Sequence, residues 1–169
     1  MPPARTDVNG VTIREIERAS IRDYVAMNRA YLRGRVLDFG AGKPGTCREP
    51  QPYRDLVQGE YVPFDIGDDL PAAPFDAILM TQVIQYLDDP RETLRDFGSM
   101  LKGGGVLVIT GPTNWSEVET TDLWRFTRAG IRRLLEITGF RVVDVQQRAQ
   151  VGIDGFALSL GWGAVAIKP

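Results

Sequence analysis

The sequence of 169 residues has no histidine and one cysteine, Cys47. The first absence removes Ser-His-Asp and Cys-His catalysis, histidine-ligated zinc and the imidazole pH switch. Any proton transfer therefore falls to Asp, Glu, Tyr, Lys or water. The second excludes an internal disulfide and a CxxC metal knuckle, so a reducing, cytoplasmic setting and no metal are expected. Excess charge of either sign is also missing. With 20 basic and 22 acidic residues the formal net charge is −2, and no positive field draws in nucleic acid or an anionic membrane surface. Long apolar runs are lacking too: Ala157 to Ile167 is broken by Ser159, Gly161 and Gly163, well short of the ~20 residues a spanning helix needs. Residues 1–10 carry prolines, charges and a turn-like Asn9-Gly10, with no signal-peptide core. A hydrophobic share of 43% at this length predicts one globular domain over 1–169, divided into an N-terminal helical cap (1–34) and a core (35–169).

Apolar periodicity alternates between helix and strand. Ile21, Tyr24, Val25 and Leu32 predict an amphipathic helix over Ser20–Arg33, with Ser20 and Asp23 in capping-box spacing. Arg35–Phe39, Tyr61–Phe64, Phe75–Thr81 and Gly105–Thr110 read as buried strands. Asp89 and Pro90 open a second helix carrying Leu94, Phe97 and Leu101, closed by Gly103-Gly104-Gly105. A third runs from Arg128 to Thr138 with Gly139 as its stop, and Arg141–Val145 and Leu160–Ile167 complete the set as strands. This alternation predicts an α/β fold, a Rossmann-like doubly wound and mostly parallel sheet flanked by helices. Ligands of such sheets bind beyond the carboxyl ends of the strands, here the loops after Phe39, Phe64, Met80 and Thr110.

The first of these loops is the most informative. Gly40, Gly42 and Gly45 form GxGxxG directly after a strand, and Asp65 follows Gly45 by twenty residues, the place of an acid that binds a ribose diol. Glycines in a tight strand-to-helix turn also have a purely steric explanation. Asp38 and Pro44 argue against a dinucleotide, since a pyrophosphate needs free N–H donors and no adjacent carboxylate. A P-loop is a near miss only, since Gly40 and Gly45 have its spacing but Thr46-Cys47 follow Gly45 in place of Lys-Ser/Thr. An acid at the end of the first strand instead suits a cationic ligand such as a sulfonium, or caps the loop's own N–H groups.

Val36–Gly42, Tyr61–Asp65, Phe75-Asp76-Ala77-Ile78-Leu79, Thr81–Leu87 and Leu101–Gly105, in that order, resemble the class I S-adenosylmethionine-dependent methyltransferases from about Arg35 to Phe140. Leu123–Thr127 and Leu134–Phe140 are similar to members acting on small molecules or sugars. The resemblance implies S-adenosylmethionine as cofactor and S-adenosylhomocysteine as product. It places Gly40, Ala41 and Gly42 against the methionine part, with Asp38 organising that end, Asp65 on the ribose, Ile66 on adenine, and Gln82 and Val83 along the far side. Tyr86 stands where the family often has histidine. Only nine residues, Ile66–Pro74, separate Asp65 from Phe75, so one strand of the usual seven is expected to be missing or reduced. Asp65 then belongs to the second or to the third strand of the pattern, with the ribose role favouring the second. Asp68 or Asp69 could then meet adenine, or remain exposed loop acids.

Methyl transfer asks mainly for alignment and exclusion of water. Where the acceptor must lose a proton, Tyr86, Glu119 and Asp122 are the candidates by loop position, each also readable as a wall or a solvated charge. Trp115, Trp124 and Tyr24 are candidates for the acceptor pocket, with Tyr31 on the face of Tyr24, and packing is the alternative for each. Arg125, Arg128, Arg132 and Arg133 form a basic cluster, either a solvated face or an anion site. The expected acceptor is a small molecule of specialised metabolism, without nucleic-acid or membrane partners, and the last strands offer a route to a homodimer. Two other readings are a non-catalytic methyltransferase-like partner subunit and, disfavoured by Asp38 and Pro44, a nicotinamide oxidoreductase.

Overall fold

The computed structural model describes residues 11–42, 51–117, 120–153 and 156–169. In chain order these form α1 (Ile13–Met27), β1 (Arg33–Phe39), β2 (Gln58–Phe64), β3 (Phe75–Thr81), α2 (Pro90–Met100), β4 (Leu101–Pro112), α3 (Arg128–Ile137), β5 (Arg141–Ile153) and β6 (Phe156–Ile167). Short 3-10 turns stand at Arg29–Tyr31, Arg54–Leu56 and Ile84–Tyr86. The six strands make one sheet in the order β2-β1-β3-β4-β6-β5. The pairs β2·β1, β1·β3 and β3·β4 are parallel, so those strands end at one common edge. β6 is antiparallel to both neighbours, because the short link between β5 and β6 permits a hairpin and no crossover.

Alternation within the strands divides the core between two faces. Leu37, Phe39, Ile78, Met80 and Ile109 meet Leu94 and Phe97 of α2 and Ile131 and Leu135 of α3. On the opposite face Val36, Leu79, Val108 and Val165 meet Ile21, Tyr24 and Val25 of α1. The doubly wound expectation therefore holds, with the antiparallel hairpin as its exception. No strand occurs between β2 and β3, and β2 pairs directly with β1. Asp65, at the tip of β2, thus follows the strand beside β1.

Several boundaries differ from the sequence expectation for local reasons. The first helix starts at Ile13, seven residues before the expected Ser20. Thr12 and Glu15 form the capping box: Thr12 Oγ1 accepts from Glu15 N–H at 3.2 Å, and Glu15 Oε2 accepts from Thr12 N–H at 2.8 Å. Ser20 lies mid-helix and donates back to Glu17 O at 2.7 Å. The helix ends at Met27, and Arg33 already belongs to β1. The second helix closes at Met100, with Leu101 turning straight into an extended conformation. Gly103–Gly105 lie within β4, beside a register shift against β3. β5 runs on to Ile153, past the point where Gln146, Gln147 and Gln150 interrupt the apolar pattern of the sequence. β6 is paired on both sides, and β5 is the edge strand at that end of the sheet. Among the described residues no helix is long and apolar enough to cross a membrane.

Candidate active site

The chemistry expected in the sequence gathers at the common carboxyl edge of β1, β2, β3 and β4. Asp38, the penultimate residue of β1, is 1% exposed, and the Tyr61 hydroxyl of β2 donates to its Oδ2 at 2.6 Å. Burial pushes the Asp38 carboxyl up from 3.8 to about 6, against the lowering effect of the Tyr61 bond. Burial, then the Asp38 charge, raises the Tyr61 phenol, which stays protonated and donating. A buried carboxylate with one donor is poised to accept a positively charged group.

The turn after β1 has Gly40 at φ 85° and Gly42 at φ 72°. A Cβ on Gly40 would lie 2.2 Å from Val83 Cγ2, so both conformation and space demand glycine there. Gly40 N–H and Ala41 N–H both donate to Phe64 O, at 2.8 and 3.0 Å. With those donors engaged, they do not form a phosphate cradle, whereas a phosphate-free cationic ligand beside Asp38 suits the turn. These features fit S-adenosylmethionine better than a dinucleotide. Lys43, Pro44, Gly45, Thr46 and Cys47 lie outside the described residues.

The tip of β2 is a turn built by its own acids. Asp65 Oδ1 accepts from Ile66 N–H at 3.0 Å, Asp68 Oδ2 accepts from Asp65 N–H at 3.1 Å, and Asp68 N–H donates to Asp65 O at 3.0 Å. Asp65 is half-buried, Asp68 and Asp69 are exposed, and Ile66 is 60% exposed. After β3, Gln82 adopts φ 55° while its N–H donates to Thr110 O at 3.1 Å, holding the two strand ends together. Val83 is buried in the core, packed against Gly40. Tyr86 sits half-buried in the turn Ile84–Tyr86, close enough to Arg125 to act on it electrostatically.

A cleft of about 240 Å³ opens beside this edge, lined by Arg14, Glu17, Arg18 and Ile21 of α1 together with Gln82 and Trp115. Beneath it Glu17 Oε1 accepts from Arg148 Nη2 at 2.9 Å. Arg148 also donates to Ser20 Oγ at 2.8 Å and Trp162 O at 2.9 Å, tying α1 to the β5–β6 hairpin. The contribution of α1 is invisible to a reading that begins the helix at Ser20. The signal was the Thr12–Glu15 capping box, which places Arg14, Glu17 and Arg18 within the helix.

Other expected site residues are used elsewhere. Both Asp122 oxygens are held by Arg125, at 2.5 and 2.6 Å, and Arg125 also bonds the carbonyls of Trp115 and Ser116. Asp122 therefore staples the loop after β4, its carboxylate committed to an ion pair with Arg125. Trp124 Nε1 donates to Leu87 O at 2.7 Å and its ring stacks on Phe126. It lines a cleft with Asp88, Asp89 and Arg91, whereas Trp115 lines the one beside Gln82. Tyr24 is 1% exposed, its ring laid over Gly163, where a Cβ would come within 2.5 Å. Tyr31 flanks Gly34 and Lys102 at the amino ends of the strands, so the two tyrosines close over nothing together. Arg128, Arg132 and Arg133 are exposed on α3. Glu119 lies outside the described residues.

A family model described as a methyltransferase domain matches residues 13–145. The chain is 35% identical over 85 residues to trans-aconitate 2-methyltransferase of Azoarcus sp. (strain BH72), covering 47% of this chain and 34% of that protein. It thus spans about a third of the length of the curated relative it matches. Among solved structures, an S-adenosylmethionine-dependent methyltransferase from Mesorhizobium loti superimposes with TM-score 0.64 at 14% identity, over 90% of this chain and 100% of that one. Magnesium protoporphyrin IX methyltransferase from Synechocystis with bound S-adenosylmethionine gives 0.59 at 12% identity, over 98% and 86%. The methyltransferase of Haloferax volcanii complexed with the activator Trm112 gives 0.62 at 18% identity, over 92% and 94%.

Proposed function

The chain belongs to the methyltransferase-domain family, within the class I S-adenosylmethionine-dependent methyltransferases, and from that premise we propose that it transfers a methyl group to an oxygen, nitrogen or carbon nucleophile of a small molecule. The observation that carries this reading is the juxtaposition of the buried Asp38 and the glycine turn with the cleft beside Gln82. A cofactor niche and an acceptor niche share one edge of the sheet. S-adenosylmethionine, when bound, supplies a methyl group already activated by its sulfonium.

The protein's own residues then have three tasks. Asp38 receives the ammonium end, held in place by Tyr61, and Asp65 accepts the ribose hydroxyls at the tip of β2. Gly40 and Gly42 allow close approach of the backbone. Gln82, Trp115 and the first turns of α1 confine the acceptor beside the cofactor and displace water, which favours transfer through proximity. Tyr86 remains a candidate for meeting the acceptor's proton. The similarity to an enzyme named for trans-aconitate supports a small-molecule acceptor, and specialised metabolism is the context we propose.

Calorimetric titration with S-adenosylmethionine, S-adenosylhomocysteine and NAD tests the reading. Micromolar binding of the first two without the third is expected. Binding of none sinks the stand-alone enzyme and favours a subunit that needs another chain. The Asp65→Ala variant should bind S-adenosylmethionine about tenfold to a hundredfold more weakly, the range for a hydrogen bond to a charged group. Unchanged affinity moves the ribose role to Asp68 or Asp69.

A further inference from the structure

The cleft beside Gln82 carries a charge pattern that the transfer chemistry does not require. Arg14, Arg18 and Arg22 stand at i, i+4 and i+8 on α1, one stripe of a helix. Arg22, outside the cleft, is fully employed: it pairs with Asp55 at 2.5 Å and donates to Pro52 O at 2.6 Å. Arg14 and Arg18 line the cleft and, among the described residues, make no ion pair or side-chain hydrogen bond. Like charges one turn apart repel, and among the described residues no ion pair to either guanidinium offsets that repulsion. The acid in the same wall does not neutralise them, because the charge of Glu17 is taken by Arg148 beneath the cleft. Glu17 Oε2 is buried without a partner, an acceptor left open for one donor. Ile21 and Trp115 supply apolar walls and Gln82 an amide, the usual composition of a small-molecule site with a few convergent polar groups.

Resting on the methyltransferase reading above, we propose that this cleft selects a small carboxylic acid as acceptor, with a carboxylate held between the guanidinium groups of Arg14 and Arg18. Two planar forks one helical turn apart suit a carboxylate, which accepts on both oxygens. The apolar carbon skeleton lies along Ile21 and Trp115, and the volume of about 240 Å³ limits the acceptor to a compact acid. The proposal moves anion recognition from the exposed Arg128–Arg133 face of α3 to the first turns of α1.

The test is calorimetry at constant ionic strength with succinate, tricarballylate and benzoate and with their neutral amides, in the presence and absence of S-adenosylhomocysteine. The chains compared are the wild type, Arg14→Gln/Arg18→Gln, each single variant, and Arg22→Gln as a cationic control outside the cleft. At least one acid should bind the wild type at least ten times more tightly than its amide. Each cleft arginine removed should weaken that acid by roughly tenfold, while Arg22→Gln leaves it unchanged. The single variants decide the matter should the double variant fold poorly. Binding of none of the acids, equal binding of acid and amide, or equal loss in Arg22→Gln overturns the proposal. S-adenosylhomocysteine titrated alone reads the other question: its failure to bind sinks the methyltransferase reading, and the acid titrations without it still decide the subsite.

Discussion

Replacing Asp38 by asparagine isolates the most heavily perturbed carboxylate of the site. The substitution keeps the shape and an oxygen for the Tyr61 hydroxyl, and removes only the charge that burial penalises. In the folded chain the Asp38 carboxyl titrates near 6 in place of 3.8, so the native state holds its proton more tightly than the unfolded chain does. The wild type therefore loses stability as pH rises from 3.8 to about 6 and loses no more on this account above that. Two pH units of perturbation at a 1%-exposed side chain correspond to about 3 kcal/mol. Urea unfolding of both chains across the acid and neutral range should show Asp38→Asn gaining on the wild type by that amount between the two limits, with the difference level above neutrality. Taking the difference cancels the acids common to both, such as Asp76, whose bonds from Arg35 N–H and Lys102 hold its carboxyl low. S-adenosylmethionine affinity should move the opposite way: in the wild type it rises with pH through about 6 as the carboxylate forms, and in Asp38→Asn it is weaker and flat. A stability difference that does not change with pH would falsify the assignment of a desolvated, ionisable Asp38.

Gly40→Ala should destabilise the chain by about 2 kcal/mol or more, through positive φ and the contact with Val83. Adding Val83→Ala should recover the steric part and leave the conformational part, so a double variant no better than the sum of the singles refutes the contact as cause. Glu17→Ala leaves the Arg148 guanidinium buried without its carboxylate and should cost about 3 kcal/mol in urea unfolding, with Glu17→Gln losing less because it still accepts a hydrogen bond. Equal and small losses in both would show that Ser20, Trp162 and Gly111 alone satisfy Arg148.

Local sequence was enough where the determinants are contiguous. The strand-glycine turn at Val36–Gly42, the β3 limits Phe75–Thr81 and the Asp89-Pro90 helix start were legible because capping, φ preference and strand periodicity act within a few residues. The missing strand was legible as well, since nine residues between Asp65 and Phe75 cannot hold a helix and a strand. The first helix was misplaced because Ser20 and Asp23 imitate a cap that Thr12 and Glu15 supply. That single shift hid Arg14, Glu17 and Arg18.

What the sequence by itself determined is the architecture of alternating helices and strands and the glycine turn after β1, both products of short-range patterning. Only the tertiary structure decided that Asp122 is held by Arg125, that Trp124 turns to Leu87, that Tyr24 lies under the sheet against Gly163, and that β5 and β6 return as a hairpin. It alone brought the first turns of α1 to Gln82 and Trp115. Side chains this far apart in the chain meet because an amphipathic helix must bury its apolar stripe against the sheet. Which polar residues then stand at the rim follows from that docking, and no local pattern encodes it.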